Sequence, residues 1–320
     1  PPAGRSRMPQ SLQTLFDIAV VIPTLVRPSL AQAVRSVFAQ RFGGRIQVTI
    51  GIDRCVGDRA ILEALVAECP SHMAVTVVDL GYSTSQRHGG IYPSRFGGAM
   101  KTMLSYAAHS RHITYLDDDN YYAPNHVATM LDAVAGKSWG FSLRYFIDDE
   151  SDRPLCEDTW ESLGPGRGVY AAAQGGFVDT NCFFLDTLAC NDVFGEWAMT
   201  RFKGGTGGDR QALQKLRDRP WGTNNLPTLF YRTRLGKKHP FLLWRFKCAG
   251  VDLASFMPPD RIPGEAIWRQ CAEADRAAAG GGAAVAADRT GAAVAAGTTA
   301  PTATGELSID RSSAQQAHDP

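Results

Sequence analysis

The sequence predicts an α/β fold: a mixed, mostly parallel sheet flanked by helices and followed by a disordered C-terminal tail. Three observations predict it. Short β-branched runs alternate with amphipathic helical segments through the first half of the chain, the pattern of βαβ units with right-handed crossovers. Three successive strand segments end at an aspartate, Asp53, Asp79 and Asp117, and in parallel sheets ligands bind beyond the carboxyl ends of the strands. From residue 272 onward the chain holds 17 alanines and no aromatic residue, so this stretch cannot bury enough apolar surface to offset its ordering entropy.

The elements follow in order. Residues 1–16 read as a leader. Ile18 to Ile22 is a continuous apolar run typical of a buried parallel strand. Pro28 opens a helix whose Leu30, Val34, Val37 and Phe38 share one face. A second strand, Ile46 to Ile52, ends at Asp53, and Asp58 is placed to cap a helix carrying Ile61, Leu62, Leu65 and Val66. The strand Val75 to Val78 ends at Asp79. A glycine-rich segment then leads into a helix with Met100, Met103, Leu104 and Ala107 on one face, followed by the strand that stops at Asp117. Pro124 starts a helix bearing Val127, Met130, Leu131 and Val134, and Trp139 to Phe146 reads as strand.

The second half is less periodic. Val169 to Ala173 and Cys182 to Leu185 read as short strands, Gly204 to Gly208 precede a helix that starts near Asp209, and Leu226 to Tyr231 reads as a last strand. Residues 17–150 and 151–271 are expected as two halves of one domain, with 272–320 as the tail.

Composition bounds the function. With 320 residues, 44% hydrophobic, 20% charged and a formal net charge of +1, the chain can bury a large core and has no global field to attract nucleic acid. Seven scattered cysteines (55, 69, 156, 182, 190, 248 and 271), never in a CxxC pair, argue against a disulfide framework and a zinc site and fit a reducing cytoplasm. No apolar run is long enough to span a membrane. Phe241 to Lys247 is the nearest to a membrane contact and reads better as core packing. Peripheral association with the inner membrane face stays open.

The run Asp117-Asp118-Asp119 ends a short apolar strand. Carboxylates 4 to 6 Å apart repel by roughly 3 kcal/mol per pair at an effective dielectric near 20, so such a cluster calls for a cation. Mn²⁺ or Mg²⁺ suits hard oxygen ligands, and the i, i+2 spacing lets Asp117 and Asp119 leave a strand end on the same side. A solvated acidic turn is the alternative. Between Leu80 and Lys101 the chain has Arg87, His88, Arg95, Lys101, five glycines and no acidic residue, a basic loop able to meet phosphate or simply a flexible basic loop. A nucleotide diphosphate would satisfy both features.

With Val21-Ile22-Pro23-Thr24, Arg27-Pro28, Ser36-Val37 to Gln40, the strand ending at Asp53, the aspartate triplet and Gly208-Asp209-Arg210 on the page, the sequence resembles the GT-A fold glycosyltransferases, most closely the family 2 type, over roughly residues 17–240. The resemblance implies that Pro23, Thr24 and Arg27 line the nucleotide pocket, that Asp53 hydrogen-bonds the donor base, and that Asp117 lies near the ribose; Asp118 and the basic-loop residues Arg87, Arg95 and Lys101 are expected at the nucleotide sugar beside them. It further implies that Asp119 ligates the metal with Asp117, that a late histidine, His239, reaches back to it, and that Asp209 is the catalytic base. Asp209 is equally a helix cap by residue type, and His239 is equally part of an exposed basic loop. The family usually has Glu before this Asp, where Gly208 stands. Glu196, Asp179 and Asp186 are the next candidate bases. His126 is expected at the surface, and Trp160, Trp197 and Trp221 either stack on sugar or belong to the core.

The expected activity is a metal-dependent transfer of a sugar from a nucleotide-diphosphate donor to a glycan, lipid-linked or small-molecule hydroxyl, with inversion. Two rivals are a sugar nucleotidyltransferase, disfavoured because Pro23 to Arg27 contains no glycine, and a non-catalytic nucleotide- or carbohydrate-binding module, favoured by Gly208.

Overall fold

The computed structural model describes residues 15–95, 97–199 and 207–287. In chain order the elements are β1 (Phe16–Thr24), α1 (Leu30–Phe38), β2 (Ile46–Ile52), α2 (Ala60–Glu68), β3 (Met73–Asp79), α3 (Gly98–Ala107), β4 (Ser110–Tyr115), β5 (Tyr121–Tyr122), α4 (His126–Ala133), β6 (Trp139–Asp148), β7 (Pro154–Glu157), β8 (Gly164–Pro165), α5 (Ala171–Gln174), β9 (Gly176–Phe177), β10 (Phe183–Asp186), α6 (Gly208–Leu216), β11 (Trp221–Thr233), α7 (Pro240–Cys248) and α8 (Glu265–Ala287). Among the described residues one nine-stranded sheet has the order β3-β2-β1-β4-β10-β6-β11-β5, with β7 paired to β6.

The long ladders of this sheet, β1 with β2, β2 with β3, β1 with β4 and β6 with β11, are parallel, while β10, β5 and β7 pair antiparallel over short stretches. Every residue of β2 is buried, as is every residue of β1 except Asp17. That is why both read as unbroken apolar runs: a strand covered on both faces shows no alternation. Downstream, Trp139 packs at 5.7 Å from Phe183 and 5.9 Å from Phe141, and its indole N–H donates to Leu216 O at 2.8 Å. A fully buried aromatic of this size contributes roughly 2–3 kcal/mol through area alone.

The motif residues Ser36 and Gln40 hold α1 to the far side of the site. Ser36 Oγ accepts from Tyr122 N at 3.1 Å, while Gln40 Nε2 donates to Ala123 O at 2.8 Å and its Oε1 accepts from Val127 N at 2.9 Å. The positions that resemble the family therefore act here as staples between α1 and the start of α4.

The described chain divides into compact units between Thr233 and Arg234; residues 17–150 and 151–271 are expected as halves of one domain, and β6 and β11, on either side of 150, are neighbours in one sheet. Four local expectations are corrected. Ala171–Gln174, expected as strand, is a helical turn, since three successive alanines favour helix and Gly175, at φ 76°, caps it in the left-handed region. The buried face of α3 is Met100, Lys101, Leu104 and Ser105, with Ala107 exposed, because Lys101 finds a carboxylate partner inside. β4 ends at Tyr115, so Asp117 to Asp119 form a turn closed by Asn120 N donating to Asp117 O at 3.1 Å. Finally, α8 runs past 271 to Ala287, helped by its alanines; residues 1–14 of the leader and 288–320 of the tail lie outside the described residues. Phe241 to Lys247 fall within α7, whose Leu242, Leu243 and Phe246 are buried.

Candidate active site

The site is built at the carboxyl ends of β1, β2 and β4. After β1 the chain turns through Val26 at φ 61°, a conformation that costs a β-branched residue on the order of 1–2 kcal/mol. Two contacts hold it there. Val26 N donates to Thr24 Oγ1 at 2.8 Å, and Val26 O lies where a side chain at Gly57 would stand, 1.9 Å from that glycine's ideal Cβ.

This turn aims its donors at one carboxylate. Asp118, fully shielded from solvent, accepts from Thr24 Oγ1 at 2.6 Å and Leu25 N at 3.2 Å, and Arg27 Nη2 meets its other oxygen. Asp118 is thus the anchor that fixes the β1–α1 turn. Pro23 and Thr24 are buried, and the Thr24 hydroxyl is committed to this anchor.

Its neighbours diverge. Asp117 Oδ1 is 2.7 Å from Lys101 Nζ, its Oδ2 accepts from Asn181 Nδ2 at 2.9 Å, and its N–H donates to Asn181 Oδ1 at 2.5 Å. Asp119 Oδ2 meets Arg27 Nη2 at 3.3 Å, its one hydrogen-bond partner among the described residues. The Asp119 side chain keeps 27% of its surface yet lies deep among protein atoms, and that burial pushes its carboxyl up to about 7; Arg27 opposes the rise, while Asp117, Asp118 and Asp149 add to it. The repulsion within the triplet is therefore met by two resident cations, Lys101 and Arg27, and the same-side projection expected from strand spacing does not apply to a turn.

Lys101 sits one turn inside α3 and is buried, so its charge belongs to Asp117 and not to a basic surface loop. Arg87 is exposed on a short 3-10 turn, Gln86–His88, and Arg95 is half-buried. The structure thus distributes the three expected phosphate-binding cations over three environments. Asp53 is buried and holds the intervening loop: it accepts from Ser83 Oγ at 2.8 Å and from Thr84 N and Oγ1 at 2.8 and 2.6 Å.

Asp209 lies in the first turn of α6, where its Oδ1 accepts from Arg210 N at 2.7 Å. Burial raises its protonation range above that of an ordinary carboxylate; Arg210 opposes this, Asp179 adds to it, and Lys101 lowers it again. Gly208 has a physical account: a Cβ there would stand 2.7 Å from Glu196 O, so the turn containing Trp197 packs where a side chain would go. Of the other candidate bases, Glu196 is paired with Lys215 at 2.5 Å and Asp186 accepts from Leu188 N and Ala189 N.

Asn181 and Arg144 were missed in the sequence. Asn181 Nδ2 also donates to Asp179 Oδ1 at 2.8 Å, and Asp179 Oδ2 accepts from Arg144 Nη1 at 2.7 Å. Arg144, buried beneath Tyr231 and Phe146, also meets Asp158 at 2.7 Å and Glu161 at 2.5 Å. The sequence signal was Asp179-Thr180-Asn181, three polar side chains between apolar runs; what they touch is set by contacts across the fold.

His239 caps α7, its Nδ1 accepting from Phe241 N at 3.3 Å. His126 is fully buried, contrary to expectation, stacked on Tyr122 at 3.8 Å between ring centroids with its Nδ1 2.8 Å from Thr228 Oγ1. Trp160 and Trp197 are core residues, and Trp221 packs against Phe141 at 5.5 Å. No group of three or more His, Cys, Asp or Glu side chains among the described residues is arranged to hold a metal ion.

No family model matches the chain, and no curated protein matches it. Among solved structures it is similar to residues 1–349 of S. aureus TarS, with a TM-score of 0.48 and 10% identity over 72% of this chain and 63% of that one. The same TarS segment in complex with UDP-GlcNAc gives a TM-score of 0.49 and 12% identity over 72% and 64%. For S. aureus TarS the values are 0.47 and 12% over 74% and 40%. The chain spans less than two thirds of each of these chains. Likenesses of this depth carry no argument about chemistry, which rests on the geometry above.

Proposed function

We propose that this protein is a glycosyltransferase that moves a sugar from a nucleotide-diphosphate donor to a hydroxyl acceptor with inversion at the anomeric carbon. The observation that carries the reading is a pair of carboxylates with raised protonation ranges, Asp119 and Asp209, one in the field of Asp117 and the other in that of its partner Lys101. Carboxylates whose protonation ranges are raised toward neutral pH are suited to acid–base chemistry there.

Asp209 takes the proton of the acceptor hydroxyl as its oxygen attacks the anomeric carbon, and the bond to the diphosphate oxygen breaks on the opposite side. A base with a raised protonation range accepts that proton with less penalty than an ordinary carboxylate. Arg27, oriented by Asp118, faces the charge that develops on the diphosphate. Asp53 accepts three hydrogen bonds from Ser83 and Thr84, so of about four lone-pair sites one remains for a base N–H.

The donor set at the triplet fits a divalent ion only in part: Asp117 is held by Lys101 and Asn181, Asp118 by the β1–α1 turn, and Asp119 alone has an oxygen to give. One carboxylate combined with phosphate oxygens and water is a usual setting for Mg²⁺. Mn²⁺ or Mg²⁺ held by Asp119 would supply charge stabilisation for the departing diphosphate.

The test is hydrolysis of UDP- and GDP-sugars by the wild type and by Asp209→Asn, with and without Mn²⁺. Turnover of one nucleotide sugar by the wild type, lost in the variant, supports the reading; no turnover of any donor, with or without a panel of hydroxyl acceptors, overturns it.

A further inference from the structure

The loops that follow β2 and β3 share one surface. Val56, Tyr82, Ile91 and Tyr92 are 54%, 66%, 77% and 44% exposed, which gathers four large apolar side chains on neighbouring loops at one end of the sheet. Their exposure does not come from a loosely held chain. Asp53 grips the second loop through Ser83 and Thr84, Gln86 N donates to Tyr92 O at 2.8 Å, Tyr92 N donates to Thr84 O at 3.1 Å, and Gln86 Nε2 donates to Ile91 O at 2.9 Å. The first loop is tied to the second where Arg54 Nη1 lies 3.3 Å from His88 Nδ1.

Charge on this surface is mainly positive. Arg54, Arg87 and His88 are exposed among the apolar side chains, and no acidic residue occurs between Leu80 and Lys101. Of the nearby carboxylates Asp53 is buried, Asp58 is exposed and accepts from Ala60 N at 2.9 Å, and Asp79, also exposed, accepts from Gly81 N at 2.8 Å and is balanced by Arg59. Tyrosines whose rings suit the headgroup level, an aliphatic side chain at the tip and arginines around them form the composition that partitions onto an anionic bilayer.

We propose that this face docks on a membrane surface rich in anionic phospholipid, with Tyr82, Ile91 and Tyr92 entering the headgroup region and Arg54 facing lipid phosphates. No helix among the described residues is long and apolar enough to cross a membrane, so the contact is peripheral. Because the loops leave the same end of the sheet as Asp53 and the aspartate triplet, docking sets the mouth of the candidate site at the bilayer. This favours a lipid-linked hydroxyl as acceptor, a consequence that rests on the glycosyltransferase reading, whereas the docking itself does not.

The test is sedimentation of the full chain with vesicles of phosphatidylcholine alone and of phosphatidylcholine mixed with phosphatidylglycerol, without donor or acceptor. The wild type is expected to pellet with the mixed vesicles and not with phosphatidylcholine, and less as salt is raised. Tyr82→Ser combined with Ile91→Ser should weaken binding about tenfold or more, and Arg54→Ser should weaken it and reduce its salt dependence. Unchanged melting temperatures establish that these surface variants are folded. A wild type that stays in the supernatant with mixed vesicles, variants that pellet as the wild type does, or pelleting without vesicles would each overturn the proposal. A wild type that transfers sugar but does not bind the mixed vesicles would sink the docking face alone, and one that binds them without transferring sugar would sink the transfer reading alone.

Discussion

Lys101 Nζ lies 2.7 Å from Asp117 Oδ1, a contact that joins the first turns of α3 to the acidic turn after β4. The lysine is buried and the aspartate is partly exposed, so each is the other's main source of charge compensation. Lys101→Met should take the paired charge from Asp117 and destabilise the protein by about 2 kcal/mol, lowering the melting temperature by about 4–8 °C. Calorimetric melting at neutral pH checks this. An unchanged melting temperature would mean that the pair contributes nothing net.

Asp118 and Asp119 are adjacent and should respond in opposite ways. Asp118→Ala strips the acceptor from Thr24, Leu25 and Arg27 and should cost about 3 kcal/mol, since it leaves buried donors unpaired. Asp119→Ala removes one of three clustered negative charges and should leave the fold intact while abolishing Mn²⁺-dependent binding of UDP and GDP. Chemical denaturation and calorimetric titration of both variants provide the comparison. Equal loss of stability in the two would refute the division of roles.

For Asp209 the expected signature is kinetic. Asp209→Asn should keep donor affinity and stability, because the isosteric amide oxygen can still accept from Arg210 N, and should lose transfer by about two orders of magnitude or more. Burial raises the carboxyl's protonation range. The base form therefore predominates only above that raised range, and the wild-type rate should fall as pH is lowered through it. A variant with near-normal transfer would move the base assignment to Asp179.

A pH effect on stability should come from His126. Burial pushes its imidazole down to about 3, while the unfolded chain takes up this proton near pH 6.5. Below about pH 6.5 the unfolded state binds more protons than the native state, so stability falls as pH falls, by about 2 kcal/mol between pH 7 and pH 5. Denaturant midpoints at the two pH values should differ more for the wild type than for His126→Asn. Parallel shifts in both would assign the effect to other groups.

Much of the first half was legible because burial on both faces writes itself as unbroken apolar sequence: β2 was bounded to the residue, and β1 and β3 were found with their ends short. Asp53, Asp117 and Asp119 were legible as a group because strand ends in a parallel sheet share one side. What Asp117 and Asp118 do there was not legible. The partners of Asp118 lie more than ninety residues away and Asn181 lies 64 residues from Asp117, and no local period encodes such contacts. Lys101 was legible as a charge but misplaced, since residue type alone assigns lysine to solvent until the carboxylate that meets it is known. The turn at Ala171–Gln174 was lost for a smaller reason: four residues are too few for either period to declare itself.

The sheet order carries one last consequence. β5 stands four places from β4 in hydrogen-bonding order, β4-β10-β6-β11-β5, although only residues 116–120 connect the two. In a flat sheet four strand spacings amount to about 19 Å, farther than a five-residue link folded into a turn can reach, so the sheet must roll until its far edge approaches β4 again. Tyr122 records the return by donating its hydroxyl to Tyr115 O at 2.7 Å. The aspartate triplet is then a hoop across the rolled part of the sheet. Inserting a single glycine between Asn120 and Tyr121 would slacken that hoop without removing a carboxylate, and it should loosen β5 from β11 first, visible as faster amide exchange at Tyr121 and Tyr122 while β1 and β2 stay protected.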